Sequence, residues 1–187
     1  MRSITLSVIM PVYNEYSTVE ESIKRLFILR QNTSLSGVQV IIVDDCSNDG
    51  TDKILNKLSE ELPSENFFQW IFLRHSQNAG KGKTIKTALE KATGEITIIH
   101  DGDLEYNPAD MFNIISLFTD TNADAVYGSR FLPGNCSRNV MFYNRIGNRF
   151  LTLLCNLITP LKLARRDINI LEVPISYTGR NYGEGKR

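Results

Sequence analysis

The sequence predicts an α/β fold with a mainly parallel central sheet flanked by helices. Three observations carry that prediction. Short apolar runs rich in β-branched residues alternate with amphipathic stretches as far as about residue 127, the pattern of successive βαβ units. Polar clusters directly follow four of the runs: Asn14-Glu15, Asp44-Asp45, Asp101-Gly102-Asp103 and Gly128-Ser129-Arg130. The length of 187 residues, with 42% hydrophobic and 22% charged residues, is that of one ordinary globular domain. A chain of this size buries about 70% of its unfolded surface and needs no disulfide or metal staple.

The elements follow in order. Leu6–Val12 is a short apolar run ended by polar residues, which reads as a buried strand. Ser17-x-x-Glu20 has the form of a capping box, and Val19, Ile23, Leu26 and Phe27 follow at helical spacing. Val38–Val43 reads as the second strand, stopped by Asp44-Asp45. Thr51–Leu62 places Ile54, Leu55 and Leu58 on one helical face. Phe67–Leu73 is the third strand, and Lys81–Thr93 a helix with Gly94 as its stop. Ile96–His100 is the fourth strand. Asn107-Pro108 supplies an N-cap with proline in the first turn, and Met111–Phe118 continues helically. Ala123–Tyr127 is the fifth strand.

Beyond Arg130 the pattern changes. Residues 144–163 carry Ile146, Phe150, Leu153, Leu154, Leu157 and Ile158, with Arg138, Arg145, Arg149, Lys162, Arg165 and Arg166 around them. Such a stretch suits a membrane interface, and equally a core helix or a contact between copies, which leaves a homo-oligomer open. The formal net charge is zero, which argues against a dedicated nucleic-acid binder. Yet residues 1–129 carry a net −7 and residues 130–187 a net +7. The basic end is suited to an anionic partner, or is simply a solvated face. Cys46, Cys136 and Cys155 are odd in number and include no CxxC, which points to a reducing compartment. The first twelve residues lack the basic start and small-residue cleavage site of a signal peptide. No apolar run reaches the ~18 residues of a membrane span.

In parallel sheets ligands bind beyond the carboxyl ends of the strands, where these polar clusters lie. Any one cluster alone reads as a loop or a helix cap; four at one rim point to a site. Asp101-Gly102-Asp103 sets two carboxylates two residues apart across a flexible glycine. Both can reach one hard divalent cation, Mg²⁺ or Mn²⁺, held jointly with substrate phosphates, and Glu105 can add a ligand or a supporting hydrogen bond. Asp45–Gly50 looks like half an EF-hand loop, but its twelfth position is Asn56 and a strand precedes it, so calcium is rejected. An acidic pair after the second strand better suits a ribose or a base. Gly82-Lys83-Thr84 ends like a P-loop whose opening glycine would fall on Gln77, so that match fails too. The segment still opens a helix whose N–H groups and Lys81 can face an anion. His75 and His100 have no metal-ligand partner at suitable spacing and read as structural. No Gly-x-Ser-x-Gly elbow is present.

Taken together, these words resemble the family-two glycosyltransferases of GT-A (Rossmann-like) fold. The resemblance is strongest to the branch of dolichol-phosphate mannose synthase and the bacterial polyprenyl-phosphate glycosyltransferases. The matching words are Pro11-Val12-Tyr13-Asn14-Glu15, Asp44 to Thr51, Asn78-Ala79-Gly80-Lys81-Gly82, Asp101 to Glu105, Tyr127 to Phe131, and Val173 to Tyr177 with Gly179-Arg180. The resemblance implies a single domain, with a nucleotide-sugar half over about 1–130 and an acceptor- and membrane-facing half over 131–187. It implies that Pro11, Tyr13, Glu15 and Asp45 line the nucleoside pocket, with Asp44 supporting it and Lys81 near the donor. Asp101, Gly102 and Asp103, with Glu105 nearby, would meet the diphosphate and its Mg²⁺ or Mn²⁺. Arg130 would meet the acceptor phosphate and count with Asp101 and Asp103 as catalytic. Arg180 and Lys186 would close over the diphosphate.

The implied reaction is an inverting, metal-dependent transfer of a hexose from a UDP- or GDP-sugar to a polyprenyl or dolichyl phosphate. The implied location is peripheral, on the cytosolic face of a membrane. In this branch some tens of residues, bearing an acidic acceptor-side motif, separate the apolar helix from the strand leading into Pro174-Ile175-Ser176-Tyr177. Here only Pro160–Asn169 bridges them, so further residues are expected there and beyond Arg187. Two alternatives stand beside this one: a sugar-phosphate nucleotidyltransferase, although Tyr13-Asn14-Glu15 replaces its glycine-rich basic loop, and a non-catalytic nucleotide-sugar-binding protein at a membrane.

Overall fold

The computed structural model of the chain describes residues 3–62, 65–129 and 169–178. The chain divides into two compact units, Met1–Phe112 and Asn113–Arg187.

In the first unit, β1 (Ile4–Val12) is followed by α1 (Val19–Arg25), β2 (Leu35–Asp44), α2 (Thr51–Glu61), β3 (Phe68–Arg74), α3 (Lys81–Leu89) and β4 (Ile96–Ile99). The strands form one parallel sheet in the order β3-β2-β1-β4. Central strands of a parallel sheet are covered on both faces, which is why β1 and β2 read as continuous apolar runs. Leu6, Val8, Ile9 and Met10, and Val40 to Val43, are all fully buried. One layer of the core joins Ile9, Ile41 and Val43 to Ala88 of α3, with Ile71, Leu73 and Ile85 packed around them.

The register places the functional rim. Val12 lies opposite Asp44, and Asp44 opposite Arg74, so β1, β2 and β3 end in line. β4 instead ends at Ile99 opposite Ile9. The residues after β4 therefore run alongside the last residues of β1: a Cβ on Gly102 would sit 3.2 Å from Val12 Cγ2 and 3.7 Å from the Pro11 carbonyl oxygen.

Several local expectations are corrected. The capping box at Ser17 does not form. Thr18 holds the N-cap position of α1 without a capping hydrogen bond, and its hydroxyl donates to the Glu15 carboxylate at 2.7 Å. The Glu15 carbonyl already takes the N–H groups of Thr18 and Val19, so the helix starts one residue later. α1 then tightens into a 3₁₀ turn, Leu26–Gln31, and Phe27 packs on Phe68 and Trp70 with ring centroids 5.2 and 5.6 Å apart. α3 ends at Leu89, four residues before the expected end at Thr93, and Gly94 is not its stop. Gly94 is where the loop crosses β1. Its N–H donates to Ser7 Oγ at 2.8 Å, and a Cβ there would lie 2.5 Å from the Ser7 nitrogen. Asn107 caps as expected, accepting the Ala109 N–H at 3.0 Å, and it opens a 3₁₀ turn, Pro108–Asp110.

α4 (Met111–Asp120) leads into the second unit, where β5 (Ala125–Ser129) pairs in parallel with β6 (Ile170–Pro174). The fifth strand thus begins two residues later than expected and joins a two-stranded sheet separate from the four-stranded one. Close packing explains Gly128: a Cβ there would meet Ile175 Cδ1 at 2.8 Å. The apolar stretch at 144–163, Arg130, Arg180 and Lys186 lie outside the described residues. Among the described residues no helix is long and apolar enough to cross a membrane.

Candidate functional site

The carboxyl rim of the four-stranded sheet opens into a cleft of about 360 Å³ within the first unit. Pro11, Val12, Tyr13 and Glu15 wall it at the end of β1, and Asp45 at the end of β2. Asn78, Gly80, Lys81 and Thr84 come from the loop before α3 and its first turn, and Asp101, Gly102 and Asp103 from the loop after β4. The structure thus gathers three of the four polar clusters; Gly128-Ser129 belongs to the second unit.

Asp44 is not on the cleft wall. It is buried and accepts the Ser47 backbone N–H at 3.0 Å and the Ser47 hydroxyl, while Arg74 Nε lies 3.2 Å from its other oxygen. Ser47 Oγ in turn accepts the Asn14 N–H at 2.9 Å, and Asn14 Oδ1 accepts the Asn48 N–H at 3.0 Å. The Glu15 N–H reaches Thr51 Oγ1 at 2.9 Å and the Tyr16 N–H reaches Asp49 Oδ2 at 3.1 Å. These bonds clasp the loop after β1 to the loop after β2. Burial opposes ionisation of Asp49, but hydrogen bonds from the Thr51 hydroxyl, the Thr51 N–H and the Tyr16 N–H outweigh it and hold its carboxyl below the usual range. The clasp needs left-handed backbone at two non-glycine residues, Asn14 (φ 54°) and Cys46 (φ 63°).

Asp45 fixes the next loop. Its Oδ1 takes the Ala79 N–H at 3.0 Å and His75 Nδ1 at 2.7 Å, and its Oδ2 takes the Gly80 N–H at 2.7 Å. Burial raises its pKa, yet the bonds from Ala79, His75 and Gly80 win, and the carboxyl stays ionised below its ordinary range. Facing a carboxylate, His75 Nδ1 carries a proton, and Nε2 pairs with Thr87 Oγ1 at 3.0 Å. The structural role expected of His75 is therefore specific: it ties Asp45 to α3. Its sequence spacing carried no sign of this. Asn78 and Thr84 also line the cleft, although neither was expected as a site residue. Asn78 stood inside a matched word, and Thr84 lies one turn beyond Gly80.

The Asp101–Asp103 loop is held through its backbone. Ser22 of α1 directs its hydroxyl at the carbonyls of Asp101 and Asp103, at 3.4 and 3.5 Å. The preceding His100 donates its backbone N–H to the Ile9 carbonyl at 2.8 Å. Its ring is buried, and burial lowers its pKa to about 4 against the opposing pull of Asp101, so it is neutral at physiological pH. Lys81 Nζ lies 2.7 and 2.8 Å from the two Asp101 oxygens. Asp103 Oδ1 accepts the Glu105 N–H at 3.1 Å.

The donor set fits a hard divalent cation in one respect: two carboxylates reach one cleft, as suits Mg²⁺ or Mn²⁺ completed by phosphate oxygens and water. No group of three or more His, Cys, Asp or Glu side chains assembles for a metal among the described residues, and Glu105 is not on the cleft wall. A fully protein-built metal cage is therefore absent from the described residues, and a site shared with substrate phosphates is what two acids permit.

The glycosyl transferase family 2 model matches residues 7–177, which span both the cleft and the β5–β6 pair. The chain belongs to glycosyl transferase family 2. The nucleotidyltransferase alternative gives way to this match. Among relatives of this family-2 chain, the dolichol-phosphate mannosyltransferase of Pyrococcus furiosus is 27% identical over 143 residues, 75% of this chain and 37% of that protein. The UDP-N-acetylglucosamine–dolichyl-phosphate N-acetylglucosaminyltransferase of Methanococcus voltae is 29% identical over 160 residues, 80% of this chain and 61% of that one. Among solved structures, the mannosyltransferase PcManGT of Pyrobaculum calidifontis, in complex with GDP-Man and Mn²⁺, superposes with a TM-score of 0.59. It is 27% identical, over 77% of this chain and 39% of that one. The fold is GT-A, and the chain spans about 40–60% of the length of these proteins.

Proposed function

We propose that this family-2 chain binds a nucleoside-diphosphate sugar in the rim cleft and transfers its hexose, with inversion and with a divalent cation, to a polyprenyl or dolichyl phosphate. The observation that carries the proposal is the division of one cleft into two chemistries. Tyr13 and Glu15 offer an aromatic face and a carboxylate at the end of β1, while Asp101, Asp103 and Lys81 supply cation-binding and anion-binding groups. A volume of about 360 Å³ lies within the range of small-molecule sites, roughly 300–1,000 Å³.

In this proposal Pro11, Tyr13 and Glu15 hold the nucleoside, and Asp44 and Asp45 act behind them by fixing the loops. Asp101 and Asp103 hold Mg²⁺ or Mn²⁺, and Glu105 assists through its backbone contact with Asp103. When bound, that cation neutralises charge growing on the leaving diphosphate. Lys81, with Arg180 and Lys186, faces the diphosphate, and Arg130 the acceptor phosphate. A phosphate monoester has a second pKa near ~6 and is largely ionised at neutral pH. Such a nucleophile needs positioning by cations more than a general base. Residues 1–130 then form the donor half of one domain, and the basic 131–187 region the half that faces the acceptor and the cytosolic surface of a membrane.

Radiolabelled UDP- and GDP-hexoses offered with a polyprenyl phosphate in detergent test this directly. Transfer from one donor that requires Mn²⁺ or Mg²⁺ and falls at least about 100-fold in Asp103→Ala is the expected result. Donor binding without transfer, in a chain of verified mass, would leave the non-catalytic binding protein in its place.

A further inference from the structure

Lys81 and the cation expected on Asp101 need the same oxygens. Both Asp101 carboxylate oxygens are taken by the Lys81 ammonium, at 2.7 and 2.8 Å, in a two-point ion pair. The two partners are anchored differently. Asp101 follows β4 by two residues, its carbonyl takes the Ser22 hydroxyl at 3.4 Å, and it lines the cleft. Lys81 is the first residue of α3, and the residue before it is pinned to Asp45 through the Gly80 N–H. Its backbone is therefore fixed too, but its side chain is 60% exposed and its four-carbon stem lets the charged head swing without moving the helix.

We propose that Lys81 is a built-in counter-charge that holds Asp101 until the donor arrives, and that this exchange makes metal and nucleoside diphosphate bind cooperatively. A divalent cation binding alone must displace the ammonium from Asp101 and then sit beside it, unpaired and of like sign. A diphosphate entering the same cleft gives Lys81 a second anionic partner and releases the carboxylate. The two ligands then favour one another, and by thermodynamic linkage each tightens the other by the same factor. The device also lets the nucleoside end of the cleft act on the metal end, because Asp45 fixes the loop from which Lys81 projects. The inference rests on the proposed donor site and on Asp101 as a ligand of the cation.

The test is Mn²⁺ affinity, read as free Mn²⁺ by electron paramagnetic resonance on the full chain, with and without UDP or GDP and corrected for Mn²⁺ held by free nucleotide. Wild type is compared with Lys81→Met, with Lys83→Met and with Asp101→Asn. Lys83 is exposed on the same helix, so its variant carries the same change of net charge. In wild type, nucleotide is expected to tighten Mn²⁺ at least about 5-fold. Lys81→Met is expected to bind Mn²⁺ alone about 5-fold tighter than Lys83→Met, with the nucleotide effect smaller than in Lys83→Met by the same factor, the remainder being direct ligation of the cation by phosphate oxygens. Equal Mn²⁺ affinity in the two lysine variants overturns the proposal. If Asp101→Asn also abolishes binding, only the role of Lys81 is lost; if Asp101→Asn binds Mn²⁺ like wild type, the donor-site proposal fails as well.

Discussion

Two acidic loops stand side by side on the same rim and do opposite things with their carboxylates. At the end of β2 and in the loop after it, Asp44, Asp45 and Asp49 accept backbone N–H groups and hydroxyls of Ser47, Thr51, Tyr16, Ala79 and Gly80. In the loop after β4, Asp101 pairs with the exposed head of Lys81, and both Asp101 and Asp103 line the cleft. Each carries three acids, Asp44, Asp45 and Asp49 against Asp101, Asp103 and Glu105, yet the first is a clasp and the second lines the cleft. Acid count does not mark a metal site. What sets the two loops apart is how many donors already claim the carboxylate oxygens.

The sharpest way to break this comparison is to remove one acid from each loop. Asp45→Ala strands two backbone N–H groups and a histidine around a buried site and is expected to cost about 3–5 kcal/mol of stability, read by denaturant unfolding. Asp103→Ala, on the cleft wall, is expected to cost less than about 1 kcal/mol while abolishing metal-dependent nucleotide binding. Equal stability losses would erase the distinction between clasp and open loop.

His100 sharpens the second loop. Its folded pKa, about 4, lies below its ordinary value of 6.5, so between those limits the unfolded chain takes a proton that the folded chain refuses. Its contribution to stability is full above about pH 6.5 and is lost as pH falls toward 4, at about 1.4 kcal/mol per pH unit. Unfolding free energies measured across that window should lose this slope in His100→Gln. Asp45 and Asp49, whose pKa values are depressed, contribute above about pH 4 and are lost only at lower pH. A slope below pH 4 that Asp49→Asn reduces would separate the two loops by titration alone.

The smallest effect belongs to Cys46. At φ 63° it bears a side chain in a conformation that suits glycine, and its sulfur makes only a 3.7 Å contact with the Ser76 carbonyl. Cys46→Gly is expected to stabilise by up to about 1 kcal/mol in thermal unfolding. A loss would mean that the thiol contributes more to the clasp than its contact implies.

Much of the first unit was legible in the sequence. Short apolar runs rich in β-branched residues and bounded by polar clusters fit buried strands of a parallel sheet, and the polar residues after them then fall on one rim. The words Asp44-Asp45 and Asp101-Gly102-Asp103 marked the rim but not its division of labour, since nothing in their spacing says which backbone N–H groups will meet them. That depends on the register that sets β4 back along β1, and on the positive φ of Gly80, whose N–H reaches Asp45. The capping box at Ser17 and the stop at Gly94 misled for a related reason. The first was overridden by the Glu15 carbonyl, which takes the Thr18 and Val19 N–H groups, and the second by a contact distant in sequence, with Ser7. The pairing of β5 with β6 spans 45 residues and left no periodic trace.

The central claim is that this rim is a joint site for a nucleoside diphosphate and a divalent cation. Thermal unfolding of the chain with UDP and with GDP, each with and without Mn²⁺, on wild type and Asp103→Ala, tests it most directly. One nucleotide at about 100 times its Kd should add about 2.7 kcal/mol, a rise of roughly 5–10 °C, only when Mn²⁺ is present and only in wild type. No rise with either nucleotide, or an equal rise in Asp103→Ala, would contradict the claim.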